Sequence, residues 1–264
     1  MRSRPAAGPS NVEIWVLGVG GLAVFFGLWA ALSGFALVPP RFLPSPAAVA
    51  QRMFFLIDHS FAGATLPVHV LSSLGRYALG FLLAAVVGVP LGLFMGRYGL
   101  LDDIVSPIFN ALRFVAPIAW VPFAALWFGT GIGGPVMVIF AGAFPPCLIN
   151  AYRGARFVDV TFLEAAQTLG ASNLRIILEV LLPASIPSIV SGLRVGAGLG
   201  WQSLVGAELI VASSGVGYMM VQGQSAVSTP TVLSGMIAIG TVGYCVDLVL
   251  REMEAFTRRR RGLV

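Results

Sequence analysis

Four polar side chains, Arg113, Gln202, Ser203 and Glu208, stand inside or beside long apolar runs. Exposing such groups to hydrocarbon is costly, so they are candidates for the wall of a solute path. Arg113 points to a small anion as the solute. Two competing placements follow from the same residues: Arg113 has the length to snorkel to a membrane surface, and Glu208 can lie solvated at the opposite interface. Other chemistry is poorly provided for. His59 and His69 fall short of a metal cluster. Cys147 and Cys245 sit inside apolar runs, where packing is their expected role. All 16 basic residues are arginine. A P-loop needs a lysine to reach the nucleotide phosphates, so this chain is expected to hydrolyse no ATP and to hold no ATP, magnesium or other cofactor itself.

A second group of residues points to a partner instead of a reaction. The stretch 152–184 is too polar to span a bilayer. Val158, Phe162, Ala165 and Leu169 share one face of a helix, and Gly170 ends it as a C-terminal glycine does. A further amphipathic stretch follows as far as Pro183. Two short helices at an angle, with an apolar face outward, offer a knob to a soluble protein.

The elements that position these residues are apolar. Charged residues make up 10% of the 264 and hydrophobic ones 57%, too few charges to solvate a globule of this size. Six runs are long enough to cross about 30 Å of hydrocarbon: 14–38, 70–95, 104–128, 135–151, 185–210 and 231–250. The first is too long for the apolar core of a signal peptide and reads as a retained span. Eleven arginines (Arg2, Arg4, Arg97, Arg153, Arg156, Arg175, Arg251 and the run 258–261) fall on one side and Arg41 and Arg52 on the other, with Arg76 near a helix end. Arginine-rich sides face inward, so both termini and the 152–184 segment are expected in the cytoplasm. The chain thus divides into an inner N-terminus (1–13), a six-span body (14–250) and a basic tail (251–264). The net charge of +5 is spread between apolar runs, so no nucleic-acid partner is expected.

Ser45 and Pro46 carry the signature of a helix start, and Val49, Met53 and Leu56 recur at helical spacing, giving a short amphipathic helix at the outer interface. Small residues recur every fourth position in the second run (Gly80, Ala84, Gly88, Gly92, Gly96) and the fifth (Ser188, Gly192, Gly196, Gly200). Such stripes let helix backbones approach closely, within the chain first and between subunits second.

Glu164-Ala165-Ala166, three residues, Gly170, nine residues, Val180, one residue and Leu182-Pro183 together resemble the EAA motif of bacterial ABC-importer permeases, with Val180 where the family usually has isoleucine. From about Phe42 to Met253 the stretches "LPSPAAV", "SSLGRYALGFLLA", "AWVPFAALWFGTG", "LPASIPSIVSGLR" and "GAELIVASSGVGYMM" look like the nitrate/taurine/aliphatic-sulfonate subfamily. The resemblance implies an all-α membrane protein with six transmembrane helices and the type I importer fold, in a bacterial inner membrane. It also implies a second permease copy, two cytoplasmic ATPases and a periplasmic or lipid-anchored binding protein. Glu164, Ala165, Ala166, Gly170, Leu182 and Pro183 would then contact the ATPase, and a nitrate-, taurine- or sulfonate-like solute would pass. Phe114 and Ala116 stand where the subfamily usually has prolines. The alternative is an ion-coupled transporter working without an ATPase, which needs mid-span acids. Glu208 is the acid nearest mid-span in the first five runs, and Asp247 lies near the end of the sixth.

Overall fold

The computed structural model describes residues 11–35 and 38–260. Arg2, Arg4 and Arg261, counted above on the inner side, lie outside the described residues. Apart from one bridge between Phe61 and Ala64, regular structure among the described residues is helical. In chain order come α1 (Asn11–Gly34), α2 (Pro46–Asp58), α3 (Leu66–Arg97), α4 (Gly99–Leu112), a 3₁₀ turn (Pro117–Trp120) leading into α5 (Val121–Phe128), and α6 (Gly133–Arg156). Then follow α7 (Val160–Thr168), α8 (Asn173–Ile176), a π turn (Ile177–Leu181), α9 (Leu182–Val211), α10 (Val216–Ser225) and α11 (Thr229–Arg260).

The centre of the bundle is α6, flanked by α3 and α9. Both small-residue stripes are spent on these two contacts. A β-carbon at Gly92 would sit 2.9 Å from Ala151 Cβ, and one at Gly192 would collide with Asn150. Lipid tails are as apolar as leucine, so helices in a bilayer gain by backbone approach and dispersion contact, which the stripes permit. At one end Leu93, Ala151, Ala155, Ile176, Ile177, Leu181 and Ile189 form a buried cluster joining α3, α6 and the start of α9. Arg97, Arg153, Arg156 and Arg175 gather at this end, called the basic end below. The amphipathic α2 starts as expected, with Ser45 Oγ accepting the Ala48 N–H at 3.2 Å.

Five helices are long and apolar enough to cross a membrane, or six if α4 and the segment containing α5 count as one. That pair departs from the single run expected over 104–128: its halves meet at 90°. The chain opens at 113–116, where Pro117 disfavours helix in the residue before it and starts a new turn instead. A second departure concerns 173–183. Pro183 was expected to close a separate helix, yet α8, the π turn and α9 form one continuous element, Asn173–Val211, of 39 residues. Proline cannot give a ladder hydrogen bond, but the π turn just before it loosens the ladder there, so the helix continues. Residues 213–229, between the fifth and sixth runs, contain α10. Cys147 is buried as expected, whereas Cys245 lies on the outer surface of α11.

Candidate functional site

The first site is the segment between α6 and α9. Asp159 caps α7: its carboxylate accepts the Thr161 N–H at 2.9 Å and the Thr161 hydroxyl at 2.8 Å, which holds its pKa below the usual carboxylate range. The other end closes as a Schellman motif. Gly170 N–H bonds Gln167 O at 2.9 Å and Ala171 N–H bonds Ala166 O at 3.0 Å, with Gly170 at φ +77°, a region glycine enters at no steric cost. The helix therefore stops where the residue spacing says it should.

Its two faces differ. Leu163 and Ala166 pack with Val158 and Ala171 against the buried cluster at the ends of α3, α6 and α9. Val160, Phe162 and Leu169 are 61%, 64% and 87% exposed, and Glu164 and Ala165 are exposed beside them. An apolar face this open is of the kind that marks interaction surfaces. Arg97 at the end of α3 ties the assembly down by donating to Asn173 Oδ1 at 3.0 Å. Leu182 joins the same cluster, and Pro183 follows it at the start of α9, so these two residues belong to the root of the knob and not to its exposed face.

The second site is a cavity of about 300 Å³ between the bend, α6 and α9. It brings together Arg113, Gln202 and Ser203, with Pro117, Gly142 and Gly206 among its other walls. Arg113 caps α4 at the bend and lies over the Phe114 ring, 4.8 Å from its centre. The 14 residues of α4 lead inward from the basic end, so Arg113 lies about 21 Å from it at 1.5 Å per residue. Arg113 thus stands well away from the basic end, as an exposed residue at the bend. Ser203 Oγ donates to Leu199 O at 2.7 Å.

Glu208 does not join that cavity. Its side chain is 1% exposed and turned to α3 and to the 212–217 turn. It accepts Arg76 Nη1–H at 2.9 Å and Gly217 N–H at 3.0 Å, and the Ser73 hydroxyl lies 2.8 Å from both its oxygens. Arg76 also donates to Ser214 O at 2.7 Å and to the Ser214 hydroxyl. Gly215, at φ +107°, passes so close that a β-carbon would strike the Glu208 carboxylate. His69 completes the cluster, accepting the Gly215 N–H on Nδ1 at 3.2 Å and meeting Phe61 O with Nε2 at 2.9 Å. Arg76, expected near a helix end, is instead buried within α3. The sequence held a signal for this pair: Arg76 is the one charged residue of the run 70–95 and Glu208 the one acid of the run 185–210, and two such groups are held more cheaply together than apart. Asp247 is paired too, with Arg194 at 3.2 Å and Arg251 at 3.1 Å.

Comparison with known proteins adds to this geometry. The family described as "binding-protein-dependent transport system inner membrane component" matches residues 88–259. The chain is 35% identical over 239 residues to the taurine transport system permease protein of Escherichia coli (strain K12), covering 90% of this chain and 87% of that one. It is 33% identical over 218 residues to a nitrate import permease protein of Synechocystis sp., covering 81% and 79%. Among solved structures, an inward-facing form of the MetNI methionine ABC transporter aligns with TM-score 0.62 at 18% identity, over 73% of this chain and 95% of that one.

Proposed function

The chain belongs to the binding-protein-dependent transport system inner membrane components, and on that premise we propose that it passes a small solute bearing an acidic group through the Arg113, Gln202 and Ser203 cavity. It is the permease of an ABC importer, with the type I importer fold. In this reading two copies pair, two ATPases bind ATP and magnesium on their behalf, and a binding protein delivers the solute. The chain hydrolyses nothing itself, and the basic end, both termini and the Val160–Thr168 helix face the cytoplasm.

The observation that carries the reading is the two-faced α7. Its outer face is open to a partner, while its inner face is packed on the ends of α3, α6 and α9. A push on the outer face moves those three helices as packed bodies, and the bend bearing Arg113 leans on two of them. That is a rigid-body switch between two packed arrangements. Glu164, exposed two turns from the Schellman end, is placed for a basic residue of the ATPase, and Ala165 leaves room for the helix to seat. An ion-coupled mechanism without an ATPase has less to work with, because Glu208 and Asp247 are both engaged with arginines.

Gly170→Leu tests the reading. A β-carbon in the left-handed region costs about 1–2 kcal/mol, and the side chain enlarges the surface offered to the partner. The permease is expected to insert and fold, while ATPase retention, or else the link between hydrolysis and uptake in proteoliposomes, fails. Wild-type values for both would overturn the assignment of this segment. Arg113→Gln is expected to lower uptake with ATPase assembly intact, and unchanged uptake would remove Arg113 from the pathway.

A further inference from the structure

Two turns at one end of the bundle hold conformations that their residues resist. Among the described residues, Ala62 and Val227 are the non-glycine residues with positive φ, both at +54°. Ala62 and Gly63 (φ +88°) are the central pair of a two-residue hairpin, in which Phe61 N–H bonds Ala64 O at 2.8 Å and Ala64 N–H bonds Phe61 O at 3.4 Å. Positive φ at both central positions is the geometry for which asparagine followed by glycine is the usual choice. Val227 follows α10 and makes the same pair of bonds as Gly170 makes after α7. Val227 N–H reaches Gln224 O at 2.9 Å, and Ser228 N–H reaches Gly223 O at 2.8 Å. Glycine is the usual residue at such a position, and a β-branched one fits it poorly.

The two turns are neighbours. Arg52 of α2 donates from Nε to Thr231 Oγ1 at 2.9 Å and lies over the Phe61 ring, 5.4 Å from its centre. The Thr231 and Ser228 hydroxyls are 2.8 Å apart, and the Thr229 hydroxyl donates to Arg41 O. Beneath them Leu56, Leu66, Val216 and Met219 form a buried cluster on which Phe61 packs. The hairpin precedes α3, whose 32 residues run to Arg97, so both turns stand about 48 Å of helix from the basic end.

Strained backbone persists where its surroundings over-determine it, and it points to a use other than stability. The bonds that fix the second turn are backbone bonds, which glycine would make without strain. The Val227 side chain itself is 78% exposed, beside exposed Gln224 and Ser225. An apolar tip with a polar, uncharged rim has the composition of a protein contact. Lipid would not need it, because burial in hydrocarbon is non-directional and asks for no fixed backbone. A second copy paired side by side in the bilayer meets this chain along its helices, not at their ends. A soluble carrier that hands over a solute does meet the ends, on the face opposite α7.

We infer that the 61–64 and 224–228 turns, joined through Arg52, form a docking surface for the soluble protein that delivers the solute, with Val227 as its apolar contact. This rests on the reading of the chain as a permease fed by a binding protein, and it names the surface that such a protein would touch.

The purified permease–ATPase complex in nanodiscs would be titrated with the fluorescently labelled solute-binding protein of the same transporter, and its thermal unfolding followed in parallel. Val227→Gly is expected to raise Kd about tenfold, the loss of one valine side chain from a buried contact. Its Tm should hold or rise by about 2–4 °C, because the strain is relieved. Val227→Ile, which keeps the apolar tip, should bind as wild type does. Ala62→Asn should raise Tm and weaken binding, since the turn gains its usual residue and the contact gains a longer polar side chain. An unchanged Kd in both Val227→Gly and Ala62→Asn would overturn the inference. A lowered Tm in Val227→Gly would overturn it too, by making the valine a structural residue. The wild-type complex separates the two levels. If it binds the labelled protein and the turn variants bind equally well, this surface falls and delivery by a binding protein stands. If the wild-type complex does not bind the labelled protein, the delivery reading falls with it.

Discussion

Removing the Glu208 carboxylate leaves a guanidinium sealed in the bundle. Arg76 is 5% exposed and keeps only the Ser214 oxygens, while the Gly217 N–H loses its acceptor. Breaking one side of a buried ion pair costs about 3–5 kcal/mol, and an orphaned buried N–H costs about 1–3 kcal/mol. The terms share a site and do not simply add, so Glu208→Ala should cost about 4 kcal/mol or more. Taking out both charges together (Arg76→Met with Glu208→Leu) removes the stranded cation and leaves the neutral Ser73 and Gly217 donors. The double variant should therefore recover about 2 kcal/mol relative to Glu208→Ala. Steric-trap unfolding in bicelles, with thermal unfolding in nanodiscs as a check, would rank the three proteins. Because Glu208 faces away from the Arg113 cavity, Glu208→Gln should lower the yield of folded protein but keep uptake per folded molecule. A double variant no more stable than Glu208→Ala would refute the ion-pair reasoning. A Glu208→Gln protein of full stability and no uptake would return this residue to the pathway.

The remaining predictions concern the ends of the bundle and its tightest contact. Asp159→Ala should raise hydrogen exchange across Val160–Thr168 without loosening α3, α6 or α9. Since the Asp159 pKa is depressed on folding, its capping contribution should be complete above the ordinary carboxylate range and fade as pH falls through the depressed value, which exchange measured against pH would reveal; fading on the alkaline side would contradict it. Gly92→Val should destabilise by about 1–3 kcal/mol by forcing α3 away from α6, whereas Gly198→Val, with open space around its α-carbon, should insert and fold normally. Cysteines placed at Ser172 and Ser213 should label from opposite sides with an impermeant thiol reagent, Ser213 from outside; labelling of the Ser172 position in intact cells would invert the orientation.

Much of this protein is written locally. Apolar run length located every long helix, because spanning hydrocarbon sets a minimum that composition alone can meet. Ser45 and Pro46 began α2, and Gly170 ended α7, since caps depend on one or two residues and their own backbone. The small-residue stripes announced close packing, and the spacing from Glu164 to Gly170 marked a short helix with an exposed apolar face, because all its residues lie within one segment. What escaped sequence reasoning required knowledge of a neighbour. The 90° bend at 113–116 has a local cause in Pro117, but its angle is set by how α5 settles on α6 and α9. Gln202 and Glu208 read as one polar group on one helix, yet they point about 120° apart around it. The first reaches the cavity with Arg113. The second meets Arg76 from a helix more than a hundred residues earlier, and no window along the chain contains both. Sequence determined which segments are long and apolar enough to cross a membrane; tertiary packing decided which charges are paired with each other and which are left facing a cavity, because a charge takes its role from whatever the fold brings within a few ångströms of it.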